Sequence, residues 1–63
     1  MSDFKNRLIK EEKELIEKIE KLYDFVHSDK VSEVDLRHVQ LLHIQLHAMR
    51  TYAKILNTRI GML

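Results

Sequence analysis

Cysteine, proline and tryptophan are missing from this 63-residue chain, and glycine occurs once, as Gly61. Without cysteine there is neither a disulfide nor a thiolate metal site. Without proline, and with glycine confined to one end, the turn chemistry that punctuates β-hairpins is absent. Aromatic side chains are limited to Phe4, Tyr23, Phe25 and Tyr52, and packing is the default use for each. No apolar stretch approaches the ~18 residues of a membrane span, and the charged start from Asp3 to Lys13 is unlike a secretory signal. The chain reads as cytoplasmic. No glycine-rich phosphate loop or nucleophile constellation is present, and Ser2, Ser28 and Ser32 sit where helix capping accounts for them. Neither an enzyme nor a cofactor is expected. A domain this small, with nothing to staple it, gains stability mainly by association with further copies.

What is present is a seven-residue repeat of apolar doublets. The first series is Leu8-Ile9, Leu15-Ile16 and Leu22-Tyr23; the second is Leu41-Leu42, Ala48-Met49, Ile55-Leu56 and Met62-Leu63. Seven residues are two helical turns, so each series marks one side of a helix. A doublet makes a stripe broader than one neighbouring helix covers. The spacing predicts an all-α, two-helix antiparallel hairpin assembling into a homo-oligomeric bundle. Residues 1–63 form one domain, with helix 1 over about 3–27, a turn at about 28–32 and helix 2 over about 33–61. Ser2 or Asp3 caps helix 1. Ser32 and Asp35 fit the S-x-x-[DE] box at the start of helix 2, with Val31 and Leu36 as a hydrophobic staple. One member of each doublet faces the hairpin partner. If Leu42, Met49, Leu56 and Leu63 do so, Leu41, Ala48, Ile55 and Met62 need another chain; the repeat leaves open which flank turns inward. Leu15, Leu22, Leu41, Ala48, Tyr52 and Ile55 are the expected contacts between subunits.

Charge is unevenly spread. Acids and bases alternate from Asp3 to Asp24, but no acid follows Asp35, whereas Arg37, Arg50, Lys54, Arg59 and three histidines do. Cations at a helix C-terminus account for Lys54 and Arg59. Arg37, Arg50, Lys54 and Arg59 do not form one stripe, so duplex nucleic acid is not an expected partner. His43 and His47 have the i,i+4 spacing used by zinc sites, but no carboxylate stands near them in sequence, and no metal is expected. In helix 1 the heptad is broken at Glu11 and Glu12, with Arg7 one turn before Glu11. That break is either a solvated ridge or a polar pocket in an apolar seam. Phe4 is an aromatic ring beside Lys5 and Arg7, a combination that can stack a nucleobase and hold its phosphate.

The segment Phe4-Lys5-x-Arg7-Leu8-Ile9-x-Glu11, continued by Leu15, Lys18, Ile19, Lys21, Leu22 and Phe25, and the segment Leu41-Leu42-x-x-Gln45-Leu46-x-x-Met49-x-x-Tyr52-x-x-Ile55-Leu56-x-x-Arg59-Ile60 resemble a family of very small phage accessory proteins. These are the helical-hairpin proteins related to the anti-CBASS and anti-Thoeris sponges, which sequester cyclic nucleotide messengers of bacterial defence. The resemblance implies an oligomer, typically a hexamer, with ligand pockets at subunit boundaries. It implies as ligand a cyclic di- or trinucleotide or a cyclic ADP-ribose-type molecule, held without cleavage in the cytoplasm of an infected bacterial host. Carried over by position, it implies that Phe4 stacks on a base, that Lys5, Arg7 and Lys18 hold phosphates, and that Glu11 orients Arg7 or accepts from a base edge. Leu8 lies within the same cluster, and Asn6 can add a hydrogen bond. The alternative is a small phage helical module that binds a host or virion protein through its uncovered apolar stripe.

Overall fold

The computed structural model describes residues 2–63, with Ser2 described by its backbone alone. Helix α1 spans Ser2–Val26, a short 3-10 helix spans Asp29–Glu33, and α2 spans Leu36–Gly61. The two long helices form an antiparallel hairpin with extents of 46 × 15 × 12 Å. Asp3 sits in the first turn of α1, where a carboxylate meets the positive end of the helix dipole. Capping by Ser2 lies outside the described side chains.

The reversal differs from the sequence expectation. α2 begins at Leu36 rather than near residue 33, and its cap is Asp35, whose Oδ1 accepts from the Arg37 N–H at 2.8 Å. Ser32 is not the cap. Its hydroxyl donates to the Asp29 carbonyl at 2.8 Å, inside the 3-10 turn. The staple is not formed either, because Leu36 is 72% exposed. The reason is local competition: serine hydroxyls satisfy nearby carbonyls in a turn as readily as they cap a helix. The carbonyls that end α1 are met in the same way. Ser28 Oγ donates to Phe25 O at 2.7 Å, and His27 Nδ1–H donates to Tyr23 O at 2.8 Å. Ser28 and Val34 flank the 3-10 turn in extended conformations, and no described residue has positive φ. The chain therefore reverses without needing glycine at the turn. Gly61, at the far end, lies within α2 and has no left-handed conformation.

The inward flank is now defined. Leu8 and Leu15 of α1 close on Leu56 of α2, with Ile19, Met49, Ala53 and Ile60 packed around them. Val26 and Leu46 extend the buried row toward the turn. Leu56 is the one fully buried large side chain among the described residues. Leu63 does not join this row; it is 59% exposed. Leu41, Ile55 and Met62 face solvent at 62%, 53% and 81%, and Ala48 is exposed beside them. Of the expected subunit contacts, Leu15 is buried in the hairpin's own core and Leu22 is half-buried. Helix periodicity cannot distinguish a core residue from an interface residue on the same stripe.

The hairpin is open for its size. It exposes 5341 Å², where a globular monomer of its 7.6 kDa exposes ~4300 Å². Its radius of gyration is 14.5 Å, against ~11 Å for a globular chain of this length. Because the internal contacts are so few, each should weigh heavily. Leu56→Ala is expected to cost about 2–5 kcal/mol, whereas Leu36→Ala, at an exposed site, should change stability by less than ~0.5 kcal/mol. Urea denaturation followed by circular dichroism checks both.

Candidate ligand-binding surface

The N-terminal cluster does not form one constellation. Residues on a helix are rotated by ~100° each, so Phe4, Arg7, Glu11 and Lys18, spaced three, four and seven apart, share a side of α1. Lys5 falls ~160° away from Arg7 by the same rotation and belongs to the other flank. Leu8 is 4% exposed and lies in the hairpin core, so it supports the cluster from beneath and offers no surface to a ligand. Phe4 is 48% exposed; Lys5, Asn6, Arg7 and Lys18 are exposed, and Glu11 is half-buried. No ion pair joins Arg7 to Glu11. The ion pair found among the described residues is Lys10–Glu14 at 4.0 Å, on the wet side of the helix.

The break in the helix 1 heptad has a use that sequence reasoning missed. Glu12 Oε2 accepts from Asn57 Nδ2 of α2 at 3.0 Å. This contact ties the two helices in one register opposite the Leu56 core. Nothing in the spacing of Glu11 and Glu12 reveals which of them reaches across; only the antiparallel pairing brings Asn57 opposite.

Near the turn, the structure groups side chains that the sequence leaves apart. The rings of Tyr23 and His27 stack with centroids 4.2 Å apart and planes 30° from parallel. Arg50 of α2 places its guanidinium carbon 5.5 Å from the Tyr23 ring centroid, within cation–π range. Ile19, Glu20, Tyr23, Asp24 and Arg50 line a shallow hollow of about 440 Å³ there.

Further hollows follow α2 itself. One of about 420 Å³ is lined by His47, Arg50, Thr51 and Lys54. Its neighbours are lined by His43, Ile44, His47 and Ala48, and by Thr51, Lys54, Ile55, Thr58 and Arg59. Arg37 and Arg59 stand apart from the first of these, as the sequence reading has it. The missed element is that histidines complete a row with Arg50 and Lys54. Positions 43, 47, 50 and 54 step by four, three and four, which keeps them on one side of α2. The threonines are turned inward: Thr51 Oγ1 donates to His47 O at 3.2 Å and Thr58 Oγ1 to Lys54 O at 3.0 Å. His43 and His47 share this side, and among the described residues no third ligand-type side chain joins them to make a metal cluster.

A protein-family model described as Sequestin matches residues 2–62, which takes in both helices and the turn. No curated protein and no solved structure matches the chain.

The Glu12–Asn57 contact generates a prediction about register. A double-mutant cycle with Glu12→Ala and Asn57→Ala should return a coupling of about 0.5–1.5 kcal/mol. Thermal or urea unfolding of the four proteins measures it, and strict additivity would mean that the contact does not hold in solution.

Proposed function

The chain belongs to the Sequestin family, and on that premise we propose that it is a phage counter-defence sponge, which captures a cyclic nucleotide immune messenger and holds it intact. The family match over residues 2–62 carries this reading, because the family's name denotes sequestration. The messenger class is a cyclic di- or trinucleotide or a cyclic ADP-ribose-type molecule. A sponge needs no chemical step. It needs affinity and enough copies to match the messenger, and a very small chain supplies copies cheaply.

Self-association is part of the proposal. Leu41, Ile44, Ala48, Thr51, Ile55, Thr58 and Met62 step by three and four along α2, the spacing of a coiled-coil seam. All of them are exposed, so this seam lies apart from the one already used against α1. Ala48, Thr51 and Thr58 are small enough to admit a close neighbour. A second copy of the same seam is the natural occupant, since copies of one surface assemble symmetrically. The hexamer common among similar sponges is one closed arrangement of such hairpins. The site of action is the cytoplasm of the infected host, and no described helix is long and apolar enough to cross a membrane.

Calorimetric titration with cyclic dinucleotides, cyclic trinucleotides and cyclic ADP-ribose isomers tests the reading. At least one should bind, and it should be recovered chemically unchanged when the protein is heat-denatured. Failure of the whole panel to bind, or recovery of a cleaved product, refutes the sponge assignment. Light scattering tests assembly separately. The wild type should have a mass several times 7.6 kDa, and Ile44→Glu, which puts a charge into the seam, should shift it toward a single hairpin while leaving α-helix content in place.

A further inference from the structure

The basic side chains of α2 make no ion pair among the described residues. No acid follows Asp35 in sequence. Among the described residues, no carboxylate lies in ion-pair range of His47, Arg50 or Lys54. Glu20 and Asp24 border the Arg50 hollow without pairing with the guanidinium. The guanidinium is instead held at the Tyr23 ring, itself braced by His27. Thr51, the fourth residue lining the His47–Lys54 hollow, uses its hydroxyl proton on the helix backbone and offers no donor outward. The donors open to an incoming group are therefore the imidazole, the guanidinium and the ammonium.

Assembly sharpens this imbalance. With Leu41, Ala48 and Ile55 on one line of the α2 seam and Ile44, Thr51 and Thr58 on the other, His47 and Lys54 occupy one flank. His38, Gln45, Tyr52 and Arg59 occupy the opposite flank. In coiled coils these flanks carry the charge pairs that settle partner and orientation. Here neither contains an acid. In an antiparallel pair of seams the His47–Lys54 flank meets its own copy; in a parallel pair it meets the flank bearing Arg59. Either way no carboxylate faces Lys54 across the seam, and an anion entering there meets basic side chains of both copies.

We infer that His47, Arg50 and Lys54 form an oxyanion site for the phosphates of a small nucleotide, completed by flanking cations of a second copy across the α2 seam. Tyr23 acts as a positioning residue for Arg50. From His47 to Lys54 the row rises ~10 Å along the helix, room for one or two phosphates rather than for a polymer. Arginine and lysine supply the charge-assisted hydrogen bonds that phosphate oxygens accept. This assignment takes its ligand from the sequestration reading but moves the phosphate contacts from the α1 N-terminus to α2, and it requires no catalytic step.

Calorimetry on the full chain with inorganic pyrophosphate, a cyclic dinucleotide and cyclic ADP-ribose tests it. Arg50→Gln and Lys54→Gln should each weaken the tightest probe about tenfold or more, and added salt should weaken the wild type. Both side chains are exposed, so helicity should be unchanged. Tyr23→Leu should also weaken binding and Tyr23→Phe restore it, because the ring face and not the hydroxyl holds the guanidinium. If Arg50→Gln and Lys54→Gln leave messenger binding intact while Arg7→Gln abolishes it, the α2 site is wrong and the sponge stands. If pyrophosphate binding depends on Arg50 and Lys54 but no messenger binds, the site stands and the sponge is wrong. Equal affinity for duplex DNA at matched phosphate concentration overturns the small-nucleotide assignment.

Discussion

One mismatch governs this molecule: α2 is apolar on two sides and has one neighbour. The side bearing Leu46, Leu56, Ala53 and Ile60 is taken by α1. The side bearing Leu41, Ile44, Ile55 and Met62 is left in water, with more than half of each large side chain exposed. Apolar surface costs roughly 25 cal/mol per Å² when left hydrated, and the excess over a globular monomer is on the order of 1000 Å². α1 shares this character in lesser degree: Ile9, Ile16 and Tyr23 keep 43%, 41% and 43% of their surface in solvent. The more exposed apolar side chains of the hairpin are thus those of its second helix.

The same helix carries the unpaired positive charge. Along α1, acids and bases alternate and can screen one another, as at Lys10 and Glu14. Along α2, Arg50 and Lys54 make no ion pair among the described residues; Glu20 and Asp24 of α1 border the Arg50 hollow, and the guanidinium lies over the Tyr23 ring. Hydrophobic demand and electrostatic demand therefore point outward from adjacent sides of one element. In the function proposed above, a partner copy answers the first and an anion the second.

Helix number, helix type and antiparallel pairing were legible in the sequence because heptad spacing is set by covalent geometry and survives any tertiary context. The direction of each stripe was not. Leu15 and Leu41 look alike in the repeat, yet one is in the core and the other in solvent, since the doublets supply two apolar directions without ranking them. The start of α2 was misplaced because Ser32 and Asp35 satisfy a capping pattern that the chain uses differently: the hydroxyl serves a turn carbonyl and the aspartate caps alone. The α2 row of His47, Arg50 and Lys54 could have been found by counting histidine among the hydrogen-bond donors. Tyr23 at Arg50 could not, because it depends on the pairing of two helices whose register is set by Glu12 and Asn57.

The turn between the helices carries few conformational demands. Its reversal uses a 3-10 segment between extended residues, with no dihedral that penalises a side chain. Amino-acid replacements there meet no backbone restriction that demands glycine, and the bend stands at the tip of a 46 Å rod, far from the Leu56 core. A genome under pressure to change the outside of this protein can therefore rewrite that tip, in length or in character, while the paired helices keep their grip on one another.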